Sequence, residues 1–148
     1  ASLPRVDIER GLLLKTVHVA AGIIRKDGSD ELLAVQRGYG DMQGLWEFPG
    51  GKREPGEDAC ACLEREIREE LNLRIRCTEV LGSVVYAYPT RTIELTLVRA
   101  EIMQGEPELT EHTALRWLHG EEFQLEELCP ADRELLLKCQ EKLFSDKN

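Results

Sequence analysis

The chain has 148 residues, enough for one domain with its own core, and 42% hydrophobic with 32% charged residues is ordinary for a globular protein. Its net charge of -9 argues against a nucleic-acid groove, because phosphate backbones attract lysine and arginine, but it permits a small phosphorylated ligand held through metal ions. Because no apolar run approaches the roughly 18 residues that span a bilayer, a membrane protein is not expected.

We expect a single domain over residues 1–148, with residues 1–15 as an N-terminal extension of uncertain role. This extension lacks the basic start and long apolar stretch of a signal peptide, which favours a cytoplasmic protein. The cysteines support this location, because their number is odd and no C-x-x-C pair occurs, so we interpret them as reduced thiols. They are Cys60, Cys62, Cys77, Cys129 and Cys139.

Three extended segments are predicted before the first helix. Residues 16–25 and 31–37 are apolar and flank an Asp-Gly turn, so we expect them to pair as a hairpin. Residues 45–48 form a short extended piece, which ends at a Pro-Gly-Gly turn.

A helix is predicted over residues 57–71, because apolar residues recur there at intervals of three and four. Asn72 stands where this helix should end, and asparagine readily adopts the left-handed backbone of a helix stop. The apolar stripe consists of Cys60, Leu63, Ile67 and Leu71.

The second half of the chain predicts three more strands and a closing helix. Residues 74–88 and 92–103 flank a turn, and residues 114–118 form a short strand. Residues 130–144 begin with a proline in the first turn of a helix and place Leu135, Leu136, Cys139 and Leu143 inward. This order of elements predicts an α/β fold with a mixed sheet between helices.

Three glutamates of the first helix suggest a metal site. Glu66, Glu69 and Glu70 fall within an arc of about 100° beside the apolar stripe. Carboxylates so close repel one another unless they share a cation, and divalent cations prefer oxygen ligands. Arg65 is expected to pair with an acid on the preceding loop, with Glu57 as the natural candidate. The alternative is a solvated, charge-rich helix face.

The complete spacing resembles the signature of the Nudix hydrolases, G-x5-E-x7-R-E-U-x-E-E-x-G-U, where U is a bulky aliphatic residue. Asn72 is the one departure, since the family has glycine there. The flanks at 45–52, 111–117 and 130–132 resemble the MutT-like branch of the family. The matching positions are Gly51, Glu57, Arg65, Glu66, Ile67, Glu69, Glu70 and Leu73.

The resemblance implies a Nudix-type α/β/α sandwich and catalysis that depends on Mg²⁺ or Mn²⁺. The implied ligands are the carboxylates of Glu66, Glu69 and Glu70, the Gly51 carbonyl and, more weakly, Glu111. Glu66 is our choice for the general base, with Glu69 and Glu111 as rivals. Arg65 is grouped with the catalytic residues, and it is expected to orient the loop and the helix together with Glu57.

The resemblance also implies a nucleobase pocket. Phe48 would line it, and Asp132 at the start of the last helix would read the base edge, as in the branch called CTP pyrophosphohydrolase. An ionised aspartate suits an exocyclic amine such as cytosine N4, whereas a protonated one would also match a purine edge. Arg37 is a candidate phosphate ligand. Asp132 could instead be a helix-start acid and Arg37 a surface charge.

The function that follows is Mg²⁺-dependent hydrolysis of (deoxy)nucleoside triphosphates to monophosphate and pyrophosphate. The substrates would be oxidised nucleotides such as 8-oxo-dGTP, whose removal protects DNA, or CTP and modified pyrimidine triphosphates. The alternatives are an ADP-sugar or dinucleoside polyphosphate hydrolase and a non-catalytic Nudix-fold binding module. Trp46 and Trp117 are assigned to the core or a pocket wall, and His18, His112 and His119 are interpreted as structural.

Overall fold

The structure is a computed structural model that describes residues 16–110 and 112–144. The N-terminal extension and Glu111 therefore lie outside the described residues. Within them the chain forms seven strands and two α-helices. They are β1 (Thr16–Ile24), β2 (Leu32–Gln36), β3 (Trp46–Glu47), β4 (Gly50–Lys52), α1 (Ala59–Leu71), β5 (Arg74–Tyr88), β6 (Arg91–Gln104), β7 (Ala114–Leu118) and α2 (Pro130–Phe144).

The strands form two sheets. The larger has the order β4-β1-β6-β5 and is mixed, because β1 runs parallel to β6 while the other pairs are antiparallel. The smaller has the order β3-β2-β7 and is antiparallel throughout. The predicted α/β class with a mixed sheet and two helices is confirmed. The division of the strands into two sheets was not predicted.

The expectation that β1 and β2 pair as a hairpin is wrong. The turn between them exists, with Lys26 N–H donating to the Glu31 carbonyl at 2.8 Å and one bridge between Arg25 and Leu32. Beyond this bridge the two strands enter different sheets. Residues 20–24 and 32–35 are buried without alternation, as strands covered on both faces are. In the sheets, β1 lies between β4 and β6, and β2 lies between β3 and β7.

Two hydrophobic cores place the helices on opposite sides of the sheets. Residues of α1 pack with Ala20 and Ile24 of β1, whereas residues of α2 pack with Ala21 and Ile23 of the same strand. Alternate side chains of β1 thus serve different helices, which is the pattern of a layered sandwich. The four residues of α2 that were predicted to point inward are all buried.

The ends of α1 follow from local chemistry. Asp58 caps the first turn by accepting from the Ala61 N–H at 2.8 Å, so the helix begins at Ala59 rather than at residue 57. Asn72 ends it with φ 52° and ψ 41°, and its N–H donates to the Arg68 carbonyl, which confirms the predicted left-handed stop. Cys60 is only partly buried, and Cys62 fills the core in its place.

Across residues 16–110 and 112–144, neither helix is both long and apolar enough to cross a membrane.

Candidate active site

The glycine turn before α1 lies against two neighbours that leave no space for a side chain. Strand β4 pairs with β1, and a Cβ on Gly50 would overlap the Ala20 carbonyl of that strand. A Cβ on Gly51 would overlap the carboxylate of Glu66. The absence of a side chain at Gly51 therefore lets the Glu66 carboxylate lie directly against the turn. The Gly51 carbonyl also accepts from the Cys62 thiol at 3.4 Å.

The three glutamates of α1 differ in their surroundings. Glu66 is held close to the turn, with a side chain that is 14% exposed, and Glu70 lines the same pocket. The side chain of Glu69 is 60% exposed and lies outside the pocket lining. The structure thus brings Glu66, Glu70 and Gly51 together and leaves Glu69 at the outer rim.

Arg65 links the turn to the helix. Its guanidinium donates to both carboxylate oxygens of Glu57, at 2.6 and 2.9 Å, and to the Lys52 carbonyl at 3.0 Å. It also donates to Glu66 at 3.0 Å and to Glu69 at 3.2 Å. The predicted pair with Glu57 is therefore present. The bidentate hydrogen bond from Arg65 lowers the pKa of Glu57 to about 2.

A pocket of about 450 Å³ extends from the glutamates of α1 towards the interior of the protein. Glu66 and Glu70 line one part of it, and Phe48 and Asp132 line another. The further wall includes Arg37, Glu47, Tyr88, Arg91, His112 and Cys129. A volume of this size falls within the usual range of small-molecule sites.

Asp132 is the one polar or charged residue that is buried among the described residues, with 6% of its surface exposed. Its carboxylate accepts from the Phe48 N–H at 3.0 Å, which joins the first turn of α2 to the end of β3. Burial, followed by repulsion from Glu47, raises the pKa of Asp132 well above its ordinary value. A carboxyl group with a raised pKa tends to hold its proton, and the protonated group donates a hydrogen bond as well as accepting one.

Three residues that were not predicted to belong to the site lie next to Asp132 or to its neighbour Glu47. Ligand atoms of Glu47, Cys129 and Asp132 lie within 4.8 Å of one another. His112, which we had interpreted as structural, lies 3.5 Å from Glu47. Glu47 stands beside Phe48 in the MutT-like flank, but neither spacing nor periodicity pointed to it. These residues are far apart in the chain, and only the approach of β3, α2 and the segment before β7 brings them together.

The predicted phosphate ligand Arg37 is in the pocket wall and makes an ion pair with Glu47 at 3.3 Å. Its Nε atom and the Nδ1 atom of His112 are buried without a hydrogen-bond partner within the described part of the chain. Buried donors of this kind usually meet a ligand or water. Trp46 belongs to the core, as expected, where the Arg116 guanidinium stacks 4.1 Å from its ring.

The residues present fit a divalent cation at the glycine turn. The missing side chain of Gly51 makes room for the Glu66 carboxylate, and Glu70 lines the same part of the pocket. This set consists of hard oxygen donors, which suit Mg²⁺ and Mn²⁺. The pocket beyond offers an aromatic wall and several hydrogen-bonding groups, which suit an organic group joined to a phosphate chain.

Known proteins are similar in sequence to this chain. A family model described as the NUDIX domain matches residues 16–139. The CTP pyrophosphohydrolase of Escherichia coli (strain K12) is 39% identical over 123 residues, which cover 83% of this chain and 90% of that protein. The 8-oxo-dGTP diphosphatase of Proteus vulgaris is 34% identical over 97 residues, which cover 66% of this chain and 85% of that protein.

A solved structure is also similar to this chain. The solution structure of the E. coli ORF135 protein has a TM-score of 0.75 and 37% identity to this chain, covering 89% of this chain and 93% of that one. The match to the NUDIX model extends from β1 into α2 and so includes the glycine turn, the three glutamates and Asp132. The chain therefore belongs to the Nudix hydrolase family and is an enzyme of that family.

Proposed function

We propose that this enzyme hydrolyses (deoxy)nucleoside triphosphates to the monophosphate and pyrophosphate. The observation that carries the proposal is the single pocket lined both by Glu66 and Glu70 and by Phe48 and Asp132. A nucleotide has the same two-part chemistry, with an anionic phosphate chain and a planar base. Relatives named for pyrophosphohydrolase or diphosphatase activity on nucleoside triphosphates support the reaction class.

Nudix hydrolases generally use divalent metal ions, and in this chain Glu66, Glu69, Glu70 and the Gly51 carbonyl would hold Mg²⁺ or Mn²⁺. Glu111 is a further candidate ligand. When bound, the metal supplies positive charge to the phosphate oxygens and makes a nearby water more acidic. Glu66 is the residue we assign to accept the proton of the attacking water. Arg65 holds the Glu66 carboxylate at 3.0 Å and thereby fixes its orientation.

The pocket wall supports a base-reading role for Asp132. The Phe48 N–H fixes one oxygen of its carboxyl at 3.0 Å, and burial favours the protonated form, so the group presents a donor and an acceptor. This combination suits the edges of guanine-type bases as well as cytosine. The substrates proposed are accordingly 8-oxo-dGTP and CTP or modified pyrimidine triphosphates, and clearing such nucleotides would be the cellular role. Arg37 lies where it can reach the bound ligand.

The test is a pyrophosphate-release screen with Mg²⁺ over canonical and oxidised nucleoside triphosphates, with ADP-ribose and a dinucleoside polyphosphate as competing substrate classes. The wild-type protein is expected to release pyrophosphate from a nucleoside triphosphate. Turnover of ADP-ribose or the dinucleoside polyphosphate alone would refute the proposal and favour the alternative hydrolase class.

A matched pair of variants tests the metal site. Glu70→Gln removes one charge from the pocket lining, and we expect it to lower kcat by about 10–100-fold or more, on the scale of damage to a metal site. Glu126→Gln makes the same chemical change at an exposed position of the 3-10 turn Leu125–Glu127 and should leave kcat unchanged. Equal rates for the two variants would contradict the assignment of Glu70.

A further inference from the structure

Two cysteines meet on the side of α1 that faces away from the pocket. Cys60 lies in the first turn of α1, and Cys77 lies near the start of β5. The Cys77 thiol is 3.5 Å from the Cys60 carbonyl oxygen. Both side chains are partly buried and pack against the core cluster beneath α1. The Cys77 thiol therefore lies against the backbone of Cys60, and both side chains remain partly exposed to small solutes.

A second contact holds the two segments in this arrangement. The Cys77 N–H donates to the Glu64 carboxylate at 3.1 Å. Glu64 lies one helical turn after Cys60, so both residues project from the same side of α1 towards β5. Two independent contacts thus fix the start of β5 against this helix face.

We infer that Cys60 and Cys77 form a reversible disulfide when the protein meets hydrogen peroxide, and that this pair is a redox modification site. The Cys60 sulfur attacks one peroxide oxygen, the O–O bond breaks, and hydroxide leaves with its electron pair. The resulting sulfenic acid is attacked by the Cys77 sulfur, so that the S–S bond forms and the second oxygen leaves as water. Two thiols lose two electrons and two protons, and one peroxide becomes two waters.

The environment of Cys77 sets the order of these steps. Burial, followed by the hydrogen bond with the Cys60 thiol, raises the pKa of Cys77. Because the thiolate is the nucleophile, a raised pKa disfavours Cys77 as the residue that attacks peroxide, and we assign that step to Cys60. Cys77 then resolves the sulfenic acid of Cys60.

The proposal is tested on the full chain by brief exposure to hydrogen peroxide, alkylation of free thiols, trypsin digestion and mass spectrometry. Cys60 lies in the tryptic peptide 54–65 and Cys77 in the peptide 77–91, which contains no other cysteine. We expect these two peptides to be recovered joined, two hydrogen atoms lighter than their sum, and separated again by dithiothreitol. Fragment ions must place the link at Cys60, because Cys62 shares its peptide.

Matched variants provide the control. Cys60→Ala should abolish the linked species, whereas Cys62→Ala should retain it, since Cys62 is buried and its thiol points to the Gly51 carbonyl. The linked protein should also melt at a temperature roughly 5–10 °C higher than the reduced one, because the bond closes a short loop of the unfolded chain. The inference is overturned if the link involves Cys62, or if Cys60 and Cys77 are recovered unlinked, as alkylated thiols or as sulfinic acids.

Discussion

At Gly51 a missing side chain has a chemical consequence. The carboxylate of Glu66 occupies the space that a Cβ would fill, so the helix can place this side chain directly against the turn. Gly50, its neighbour, is constrained in a different way, because the obstacle there is the Ala20 backbone of β1. Gly51 is thus required by the position of Glu66, and Gly50 is required by the pairing of β4 with β1.

This difference predicts different outcomes for two alanine variants. Gly51→Ala should leave the protein folded, because the Glu66 side chain can rotate away, but it should weaken Mn²⁺ binding by about 10-fold or more through the displaced ligand. Gly50→Ala should lower the free energy of unfolding by several kcal/mol, roughly 3 or more, since backbone must shift. Calorimetric Mn²⁺ titration and urea unfolding measure the two effects. Full Mn²⁺ affinity in Gly51→Ala would contradict the site.

The proposed base-reading role of Asp132 predicts that its substitution changes the ranking of substrates. Asp132→Asn keeps a donor and an acceptor at the same place but can no longer titrate. We expect the ratio of kcat/KM for cytosine and guanine-type triphosphates to change by about 10-fold, the scale of one good base contact. The ratio should also lose its dependence on pH. Steady-state assays of both substrates across pH 5 to 9 measure this, and an unchanged ranking would exclude a base-reading role.

Helix α1 carries both the residues that anchor it to the core and the glutamates of the site. Its N-terminal cap and its left-handed stop lie outside the core, while Leu63, Ile67 and Leu71 anchor it beneath the sheet. Arg65 then holds Glu57 and Glu66 together. The helix is therefore fixed at both ends and along one face, and this sets the backbone position of the glutamates at its other edge.

The stop at Asn72 can be tested by two substitutions. Asn72→Ala places a Cβ in a left-handed conformation without a compensating polar group and should cost about 1 kcal/mol of unfolding free energy. Asn72→Gly adopts that conformation freely and should stay within about 0.5 kcal/mol of the wild type. Urea denaturation compares the three proteins. Equal stability of the alanine and glycine variants would show that the backbone conformation is not the cause.

For the whole molecule, two carboxyl groups affect stability with opposite sign as the pH changes. Glu57 has a lowered pKa in the folded state, about 2, so its contribution is complete above the unfolded value near 4.5 and is lost as the pH falls towards 2. Asp132 has a raised pKa, so its contribution is complete below the unfolded value and is lost as the pH rises.

We therefore expect the stability difference between the wild type and Glu57→Gln to shrink as the pH falls from 5 towards 3. The glutamine cannot be protonated, whereas the Glu57 carboxyl binds a proton near pH 4.5 in the unfolded state and only near pH 2 in the folded state, so the ion pair contributes less to the wild type as the pH falls. Urea unfolding at a series of pH values measures the difference. Asp132→Asn is the control, because it should keep the acid slope and flatten the profile above pH 4. Parallel profiles for wild type and Glu57→Gln would contradict the assigned pair.

Much of the fold could be read from local patterns. The 3.6-residue periodicity located both helices, and asparagine at residue 72 predicted the stop because its backbone preference is intrinsic. The pairing of β1 could not be read in this way, since its partner strands β4 and β6 lie along its edges and its side-chain pattern reports only that both faces are buried. The hairpin expectation failed for that reason.

The amino-acid sequence by itself determined the catalytic family and the residues around the glycine turn, because those residues act over a short stretch of chain with fixed spacing. Only the tertiary structure decided which of them share a pocket, with Glu70 inside and Glu69 at the rim. It also decided that Glu47 and Cys129 lie beside Asp132 and that His112 lies beside Glu47. The physical reason is separation along the chain: contacts between segments dozens of residues apart depend on how sheets and helices pack, and no local pattern encodes them.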